Sequence, residues 1–225
     1  MGFGLIHGGL HGGWCWDELR PYLSGPSVAV NLPGRDSKSD YASITYQDWS
    51  DSATQQVAGL LPRDLVLVAH SMGGISAPEV AKRLRSRVRG IVFLAAVVPP
   101  EGWSFERWSG TTIEGPIWSV PTEAARGFLC TGMSDAMADA LLQRLNAEPA
   151  AVLRHPISRI GVPDVPVLYI QAEQDVTGLG PSEVERLALS FPRVQHVVVQ
   201  GGHNVMMTQP EALAAVINKF TRSLR

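Results

Sequence analysis

Short runs of apolar, β-branched residues alternate along the chain with longer amphipathic stretches. Six such runs each predict a strand, at 3–7, 28–32, 65–70, 88–97, 165–171 and 194–199. Most of them are apolar on both faces, which is typical of a strand covered by helices on both sides of its sheet. Strands that alternate with helices favour crossover connections and a parallel sheet. The pattern therefore predicts a three-layer α/β fold with a mostly parallel, six-stranded sheet.

The amphipathic stretches predict four helices around this sheet, at 46–61, 72–84, 182–190 and 210–222. In the last of these, apolar residues recur at the spacing of one helix face, as Leu213, Val216, Ile217 and Phe220. Pro78 lies inside the second helix, where a proline removes a backbone donor. We therefore expect the second helix to be bent.

The segment 99–162 interrupts the alternation of strands and helices. It opens with two prolines and then carries aromatic residues among Gly and Ser, namely Trp103, Phe105, Trp108 and Trp118. One further helix is predicted at 134–145. This composition is typical of a small cap over one end of a sheet. A long connection that carries a small hydrophobic cluster of its own would have the same composition. We predict a single domain, 1–225, with a cap insertion at about 99–162.

Composition and charge narrow the class of partner. Of the 225 residues, 45% are hydrophobic and 18% are charged, which is too apolar for a disordered chain. The 19 Lys and Arg against 21 Asp and Glu give a net charge of -2. Because no excess positive charge is available for a run of phosphates, we expect no nucleic-acid partner. No apolar run approaches the roughly 20 residues that span a bilayer, so we expect no membrane association.

The two cysteines bear on the compartment. Cys15 and Cys130 are too few for a disulfide framework or a thiolate metal site. No segment with a basic and an apolar region precedes the first predicted strand. We therefore expect a soluble cytoplasmic protein that needs no metal or organic cofactor, and the sequence leaves monomer and homodimer open.

A candidate nucleophile lies where the third predicted strand runs into the sequence AHSMGG at 69–74, here called the elbow. In a nucleophile elbow, a serine occupies a strained turn between a strand and a helix, and the residues two before and two after it must be small. Ala69 and Gly73 satisfy that requirement, although Gly is usual at the first position. The helix N-terminus beyond the turn also favours a developing anion. This placement favours Ser71 as a nucleophile over a serine that caps a helix.

A serine nucleophile requires a histidine base, and the chain has six histidines. His203 follows two glycines after the last predicted strand, at the carboxyl edge of the sheet where Ser71 is also expected. His7, His11 and His70 flank loops at the same edge, but His70 is adjacent to Ser71 in sequence and points away from it. We therefore predict His203 as the base.

Two carboxylates compete for the role of orienting that base. Both follow the strand predicted at 165–171, as Glu173 and Asp175. The chain order Ser71, Asp175, His203 is one in which serine triads occur. Glu173 is expected within the turn that ends the strand, so we favour Asp175 as the acid.

The loop after the first predicted strand, GGLHGG at 8–13, is here called the glycine loop. Backbone donors in such a loop can approach a substrate oxygen closely, and the spacings that bind phosphate are absent. We predict an oxyanion hole formed by the N–H groups of Gly9 and Met72. The substrate pocket is expected to be lined by Gly8 and Leu10 of the loop, by Asn204 beside the base, and by the aromatic residues Trp103, Phe105, Trp108 and Trp118.

Three motifs together resemble the α/β-hydrolase superfamily: HGGLHGGWCW at 7–16, AHSMGG at 69–74, and GGH at 201–203 after the loop that carries Asp175. The first motif is similar to the plant methylesterase and hydroxynitrile lyase branch. The resemblance implies an α/β-hydrolase fold with a cap that closes a hydrophobic pocket. It also implies a serine hydrolase that cleaves a carboxylic ester of a small to medium apolar substrate through an acyl-enzyme.

The same branch separates hydrolysis from lyase chemistry at two positions. Its cyanohydrin lyases carry Thr after the first His and Lys after the catalytic His, where this chain has Gly8 and Asn204. Because the cation that would hold cyanide is missing, hydrolysis is favoured. An acyl-carrier thioesterase remains an alternative, as does a non-hydrolytic binding protein, lyase or cyclase on the same scaffold.

Overall fold

The computed structural model describes residues 1–36 and 39–224. Within these residues the strands are β1 (Gly2–Ile6), β2 (Ser27–Ala29), β3 (Leu65–His70), β4 (Val88–Leu94), β5 (Ile117–Trp118), β6 (Glu148–Pro149), β7 (Val167–Ala172) and β8 (Val194–Val199). A pair of short antiparallel strands, β5 and β6, stands apart from the main sheet. The other six are parallel, in the order β2-β1-β3-β4-β7-β8. The predicted six-stranded α/β-hydrolase fold is confirmed.

The helices follow the same alternation along the chain. They are α1 (Tyr46–Ala58), α2 (Ala77–Arg83), α3 (Phe105–Ser109), α4 (Thr122–Leu129), α5 (Asp135–Leu142), α6 (Ala150–Arg154), α7 (Pro181–Ala188), α8 (Val205–Thr208) and α9 (Pro210–Arg222). Short 3₁₀ turns at Gly13–Trp16, Arg20–Tyr22 and Ser71–Ile75 complete the regular structure. None of the described helices is long and apolar enough to cross a bilayer.

Strand β3 shows why the central strands are apolar at every position. Its residues Leu65, Leu67 and Ala69 pack into a cluster with α1 and α2 on one face of the sheet. The alternate residues Val66 and Val68 pack on the other face with α9 and the turn at Gly13–Trp16. All five are fully buried, because side chains of a strand point to opposite faces in turn.

The second predicted helix and the fourth predicted strand are both shorter in the structure than predicted. Pro78 does not bend a long helix, because the chain forms the 3₁₀ turn Ser71–Ile75 and α2 begins only at Ala77. Pro78 thus lies in the first turn of α2, where its missing N–H has no intrahelical partner to lose. The strand predicted to run to residue 97 ends at Leu94, because Ala95 turns the chain with a φ of 41°.

The segment 99–162 carries α3 to α6 and the pair β5 and β6. Its helices α4 and α5 share a buried cluster with the glycine loop, formed by Leu10, Ala125, Leu129, Cys130, Ala138 and Leu141. The predicted helix at 134–145 corresponds to α5, whose first turn is capped by the Ser134 hydroxyl accepting the Met137 N–H at 3.3 Å. The insertion is therefore packed on the loop that follows β1. Its description as a cap on a single domain stays a prediction.

Candidate active site

The elbow places Ser71 between β3 and the turn that precedes α2. Ser71 has a φ of 49°, a left-handed conformation that costs a non-glycine residue free energy. A Cβ on Gly73 would lie 2.7 Å from the carbonyl oxygen of Ile6 and 2.8 Å from that of His7. The Val97 N–H donates to the Ser71 carbonyl at 2.9 Å. The strained turn is therefore held by close backbone neighbours on both sides.

His203 and Asp175 come together from the loops after β8 and β7. Nδ1 of His203 bonds with Oδ2 of Asp175 at 2.8 Å, and both side chains are buried. Thr177 donates to the other carboxylate oxygen, Oδ1, from its N–H at 2.9 Å and its hydroxyl at 2.7 Å. Because Nδ1 is used in this way, Nε2 is the atom that could take a proton from a serine.

The hydrogen bonds around Asp175 decide its ionisation. Burial raises the pKa of this carboxyl, but the hydrogen bond and charge of His203, with the bonds from Thr177, outweigh burial and leave the pKa below its usual value. The rival, Glu173, is exposed and accepts a hydrogen bond from Gln200 instead. Asp175 is therefore an ionised partner of His203, and Glu173 is not in contact with that ring in any described bond.

Histidines surround the ring of His203 and are held neutral. The His70 ring centroid lies 4.7 Å from that of His203, and His70 Nε2 donates to the His203 carbonyl at 3.0 Å. His11 donates from Nδ1 to the Gly9 carbonyl at 2.7 Å. Burial lowers the pKa of His70 well below the ordinary histidine value, and it lowers the pKa of His11 to about 4. These rings add hydrogen bonds to the site without adding charge at neutral pH.

The glycine loop lies directly beside the elbow. A Cβ added to Gly9 would overlap the sulfur of Met72, so the two residues predicted to donate to an oxyanion are neighbours. His7 donates from Nδ1 to the Gly8 carbonyl at 2.8 Å and accepts the Leu32 N–H at Nε2 at 3.3 Å. Leu10 has a φ of 66°. The loop therefore turns sharply, and hydrogen bonds from buried side chains stabilise the turn.

A cavity of about 280 Å³ joins these elements. Its wall includes most of the residues that the sequence singled out: Ser71, His203, Gly9, Met72, Leu10, Phe105, Trp108 and Trp118. The Phe105 ring lies 5.8 Å from that of Trp108 and 5.9 Å from that of Trp118, so the three aromatic residues form one wall. A cavity with an aromatic wall of this kind suits an apolar organic group.

Three residues predicted for the pocket lie outside its wall. Gly8 is behind the serine, since an added Cβ would lie 2.7 Å from the Cβ of Ser71. Trp103 faces the Arg107 guanidinium, 4.1 Å from its ring centroid. Asn204 is buried and donates from Nδ2 to the Leu129 carbonyl at 3.0 Å. These three residues are not among those that line the cavity, and their place in the substrate pocket stays a prediction.

The sequence reasoning also missed part of the site. The further lining residues are Val97, Val120, Phe128, Leu129, Thr177 and Leu179. Of these, Thr177 had a usable signal, because an Asp side chain commonly accepts the backbone N–H two residues further along the chain. The apolar residues had none, since an apolar residue in a pocket wall has the same pattern as one in the core. Among residues 1–36 and 39–224, no group of three or more His, Cys, Asp or Glu could hold a metal ion.

Known proteins are similar to this chain in sequence, two of them over more than nine-tenths of its length. Methylesterase 3 of Arabidopsis thaliana is 26% identical over 95% of this chain and 93% of its own length. A carbendazim hydrolyzing esterase of Nocardioides sp. (strain SG-4G) is 28% identical over 94% of this chain and 96% of its own. Methylesterase 7 of Arabidopsis thaliana is 38% identical, but the match spans 47% of this chain and 45% of that protein.

Solved structures agree on the fold. A methylesterase from Arabidopsis superposes with a TM-score of 0.80 and 21% identity, covering 99% of each chain. A pyrethroid hydrolase from Sphingobium faniae superposes with a TM-score of 0.77 and 22% identity, covering 99% of this chain and 98% of that one. The resemblance to the methylesterase branch is confirmed by these relatives. The alpha/beta hydrolase family matches residues 5–216, and the chain belongs to that family.

Proposed function

We propose that this protein is a serine hydrolase that cleaves a carboxylic ester of a small to medium apolar substrate. The observation that carries the proposal is the 2.8 Å bond between His203 Nδ1 and Asp175 Oδ2, beside a cavity whose wall includes both His203 and Ser71. A histidine oriented in this way can accept a serine proton at Nε2. Relatives named as methylesterases and as an esterase support the same class.

The reaction would proceed in two halves. In acylation, the Ser71 hydroxyl oxygen attacks the acyl carbon while His203 Nε2 takes its proton, and Asp175 stabilises the resulting imidazolium. The N–H groups of Gly9 and Met72 stabilise the oxyanion of the tetrahedral intermediate. His203 then gives the proton to the departing alcohol. In deacylation, water attacks the acyl-enzyme by the same route, which releases the acid and restores Ser71.

The cavity supports an apolar substrate of modest size. Its volume of about 280 Å³ is near the lower end of ligand pockets, which are roughly 300–1,000 Å³. Phe105, Trp108 and Trp118 supply an aromatic wall, and burial of apolar groups against such a wall contributes binding without a polar partner. No cationic side chain lines this cavity among the described residues, so a neutral ester suits it better than a cyanohydrin whose cyanide must be stabilised.

We further propose a cytoplasmic location and a reaction without a metal or organic cofactor. Cys15 and Cys130 are both buried free thiols, which suits a reducing compartment. The nucleophile, base and oxyanion donors named above supply what ester hydrolysis requires. The substrate is then the small-molecule partner, and the net charge of -2 favours no nucleic acid.

The experiment that tests the proposal pairs a fluorophosphonate probe with a series of p-nitrophenyl esters of increasing acyl length. We expect the probe to label the wild-type chain but not Ser71→Ala, and we expect ester turnover to be lost in that variant. The acyl series should show a maximum set by the cavity. Absence of both labelling and turnover in the wild type would instead favour a binding protein on this scaffold.

A further inference from the structure

A buried ion pair joins the insertion to the glycine loop, and the mechanism above does not use it. The carboxylate of Glu148, in β6, accepts from Arg35 Nη2 at 2.7 Å and 2.9 Å. The two side chains are 0% and 7% exposed, respectively. Burial leaves the pKa of Glu148 above its usual value, although the Arg35 charge and the hydrogen bonds from Leu10 and Arg35 oppose that effect. The guanidinium therefore partly offsets the cost of burying an ionised carboxylate.

The carboxylate has a second partner in the glycine loop. The Leu10 N–H donates to Glu148 Oε1, and the Leu10 carbonyl accepts the Asn146 N–H at 2.8 Å. Arg35 also donates from Nε to the His11 carbonyl. The loop is thus held on both sides of Leu10 by residues that lie far away in sequence.

These bonds fix the peptide plane next to the predicted oxyanion donor. The peptide between Gly9 and Leu10 has its oxygen bonded to His11 Nδ1 at 2.7 Å and its N–H bonded to Glu148. That plane shares the Gly9 Cα with the preceding peptide, which carries the Gly9 N–H. Glycine resists backbone rotation least, and Leu10 is in the left-handed region with a φ of 66°. Without the Glu148 acceptor, the plane between Gly9 and Leu10 keeps only the His11 bond on its oxygen, and the preceding plane keeps the His7 bond on the Gly8 carbonyl at 2.8 Å. One of the bonds that fix the direction of the Gly9 N–H is then lost.

We propose that Glu148 is a positioning residue for the oxyanion hole, which acts through the Leu10 N–H and is itself held by Arg35. The proposal rests on the proposed function, since it needs an oxyanion at Gly9. It also gives the insertion a second role besides lining the cavity, because β6 supplies the acceptor.

Three variants separate the position of the acceptor from the charge of the pair. Glu148→Gln keeps an oxygen at the acceptor position but removes the charge. Glu148→Asp keeps the charge but withdraws the carboxylate by one methylene. The double variant Glu148→Leu with Arg35→Met removes both, and replacing a buried ion pair by apolar residues of similar size commonly preserves the fold.

The matched control is Glu183→Gln. Glu183 is 1% exposed, accepts the Gly180 N–H at 3.1 Å and pairs with Arg186. It therefore repeats the same combination of buried carboxylate, backbone donor and arginine at a distance from the glycine loop. Its replacement should alter stability as Glu148→Gln does while kcat stays within about twofold.

The readouts are kcat and KM for p-nitrophenyl acetate and the inhibition constant of an aryl trifluoromethyl ketone, whose serine adduct places an oxyanion in the hole. Because small displacements of a catalytic group have large effects on rate, we expect kcat to fall about tenfold in Glu148→Asp and about 10- to 100-fold in the double variant, with KM nearly unchanged. Glu148→Gln should stay within about threefold of wild type. The inhibition constant should rise in proportion to the loss of kcat/KM.

The reverse ranking, with Glu148→Asp active and Glu148→Gln impaired, would overturn the proposal in favour of a purely electrostatic pair. A folded double variant with wild-type kcat would overturn it as well. Fluorophosphonate labelling of Ser71 in the same preparations distinguishes failure of the positioning role of Glu148 from failure of the proposed serine hydrolase function. If the probe labels Ser71 and kcat of Glu148→Asp is unchanged, only the positioning role fails, whereas activity in Ser71→Ala would refute the proposed function itself.

Discussion

The elbow and the glycine loop lie side by side in the candidate site, yet their backbones are held by different means. In the elbow, neighbouring backbone atoms fix the conformation of the turn. The space beside Gly73 admits only a hydrogen, and the Val97 N–H donates to the Ser71 carbonyl at 2.9 Å. In the glycine loop, side chains hold the backbone, with His11 on the Gly9 carbonyl and Glu148 on the Leu10 N–H. A turn that is fixed sterically needs only small residues close together in the sequence. A loop that is fixed by hydrogen bonds needs partner side chains, and these can lie far away in the sequence.

The difference predicts different sensitivities for the two loops. Changes of size should damage the elbow, because its backbone neighbours belong to the central sheet and cannot move away. Changes of protonation or hydrogen bonding should damage the glycine loop, because its partners are titratable side chains.

The largest effect is expected where the elbow depends on its base. Asp175→Asn should lower kcat by about 10³- to 10⁴-fold, because an amide in this position favours the wrong histidine tautomer. Glu173→Gln is the control, since Glu173 is exposed and bonds with Gln200. Steady-state kinetics of both variants on one p-nitrophenyl ester will rank them, and a larger loss in Glu173→Gln would transfer the role of the acid to Glu173.

A methyl group added to the elbow should destabilise the fold. In Gly73→Ala the new Cβ would lie 2.7 Å and 2.8 Å from two carbonyl oxygens at the end of β1, so we expect a loss of about 3 kcal/mol in the free energy of unfolding. Gly127→Ala in α4 is the matched control, because no atom lies within 4 Å of its Cβ position. Replacing a helical glycine there should be neutral or stabilising by about 0.5–1 kcal/mol. Urea denaturation of both variants measures the difference, and equal effects would show that the elbow is not sterically fixed.

Acid should weaken the support of the glycine loop. Burial lowers the pKa of His11 to about 4 in the folded protein, whereas an unfolded chain binds the same proton near pH 6.5. Between these values the unfolded state binds more protons than the folded state. The contribution of neutral His11 to the free energy of unfolding is therefore complete above about pH 6.5, and about 3 kcal/mol of it is lost as the pH falls toward 4. Unfolding measured across this range should have a shallower pH dependence in His11→Gln. An identical slope in the variant would show that His11 is not kept neutral by the fold.

The smallest effect is expected at the aromatic wall of the cavity. Trp108→Ala should lengthen the preferred acyl chain and change the ratio of kcat/KM between short and long esters by about tenfold, because it enlarges an apolar pocket. Trp103→Ala is the matched control, since that ring faces Arg107 outside the wall. The same ester series with both variants is the measurement. Equal preferences in the two variants would mean that Trp108 does not contact the acyl group.

The same contrast explains which parts of the site can be predicted from the sequence. Ser71, Gly73 and the loops after β7 and β8 were predictable, because strand ends and small residues are local signals and parallel strands bring their carboxyl ends to one edge. The ion pair of Arg35 and Glu148 was not predictable, since two charged residues so far apart give no sign that they are buried together. Trp103 and Trp108 give the same signal in the sequence, but Trp108 lines the cavity and Trp103 does not, because tertiary packing and not composition decides which ring reaches the cavity.

Trapping the acyl-enzyme tests directly whether Ser71 is the nucleophile. The wild-type chain is mixed with p-nitrophenyl acetate, quenched in acid before deacylation is complete, and mapped by peptide mass spectrometry. We expect a mass increase of one acetyl group on the peptide that contains Ser71, together with a burst of p-nitrophenol, and neither in Ser71→Ala. Turnover of the ester with no acylated Ser71, or with the acyl group on another residue, would show that Ser71 is not the nucleophile.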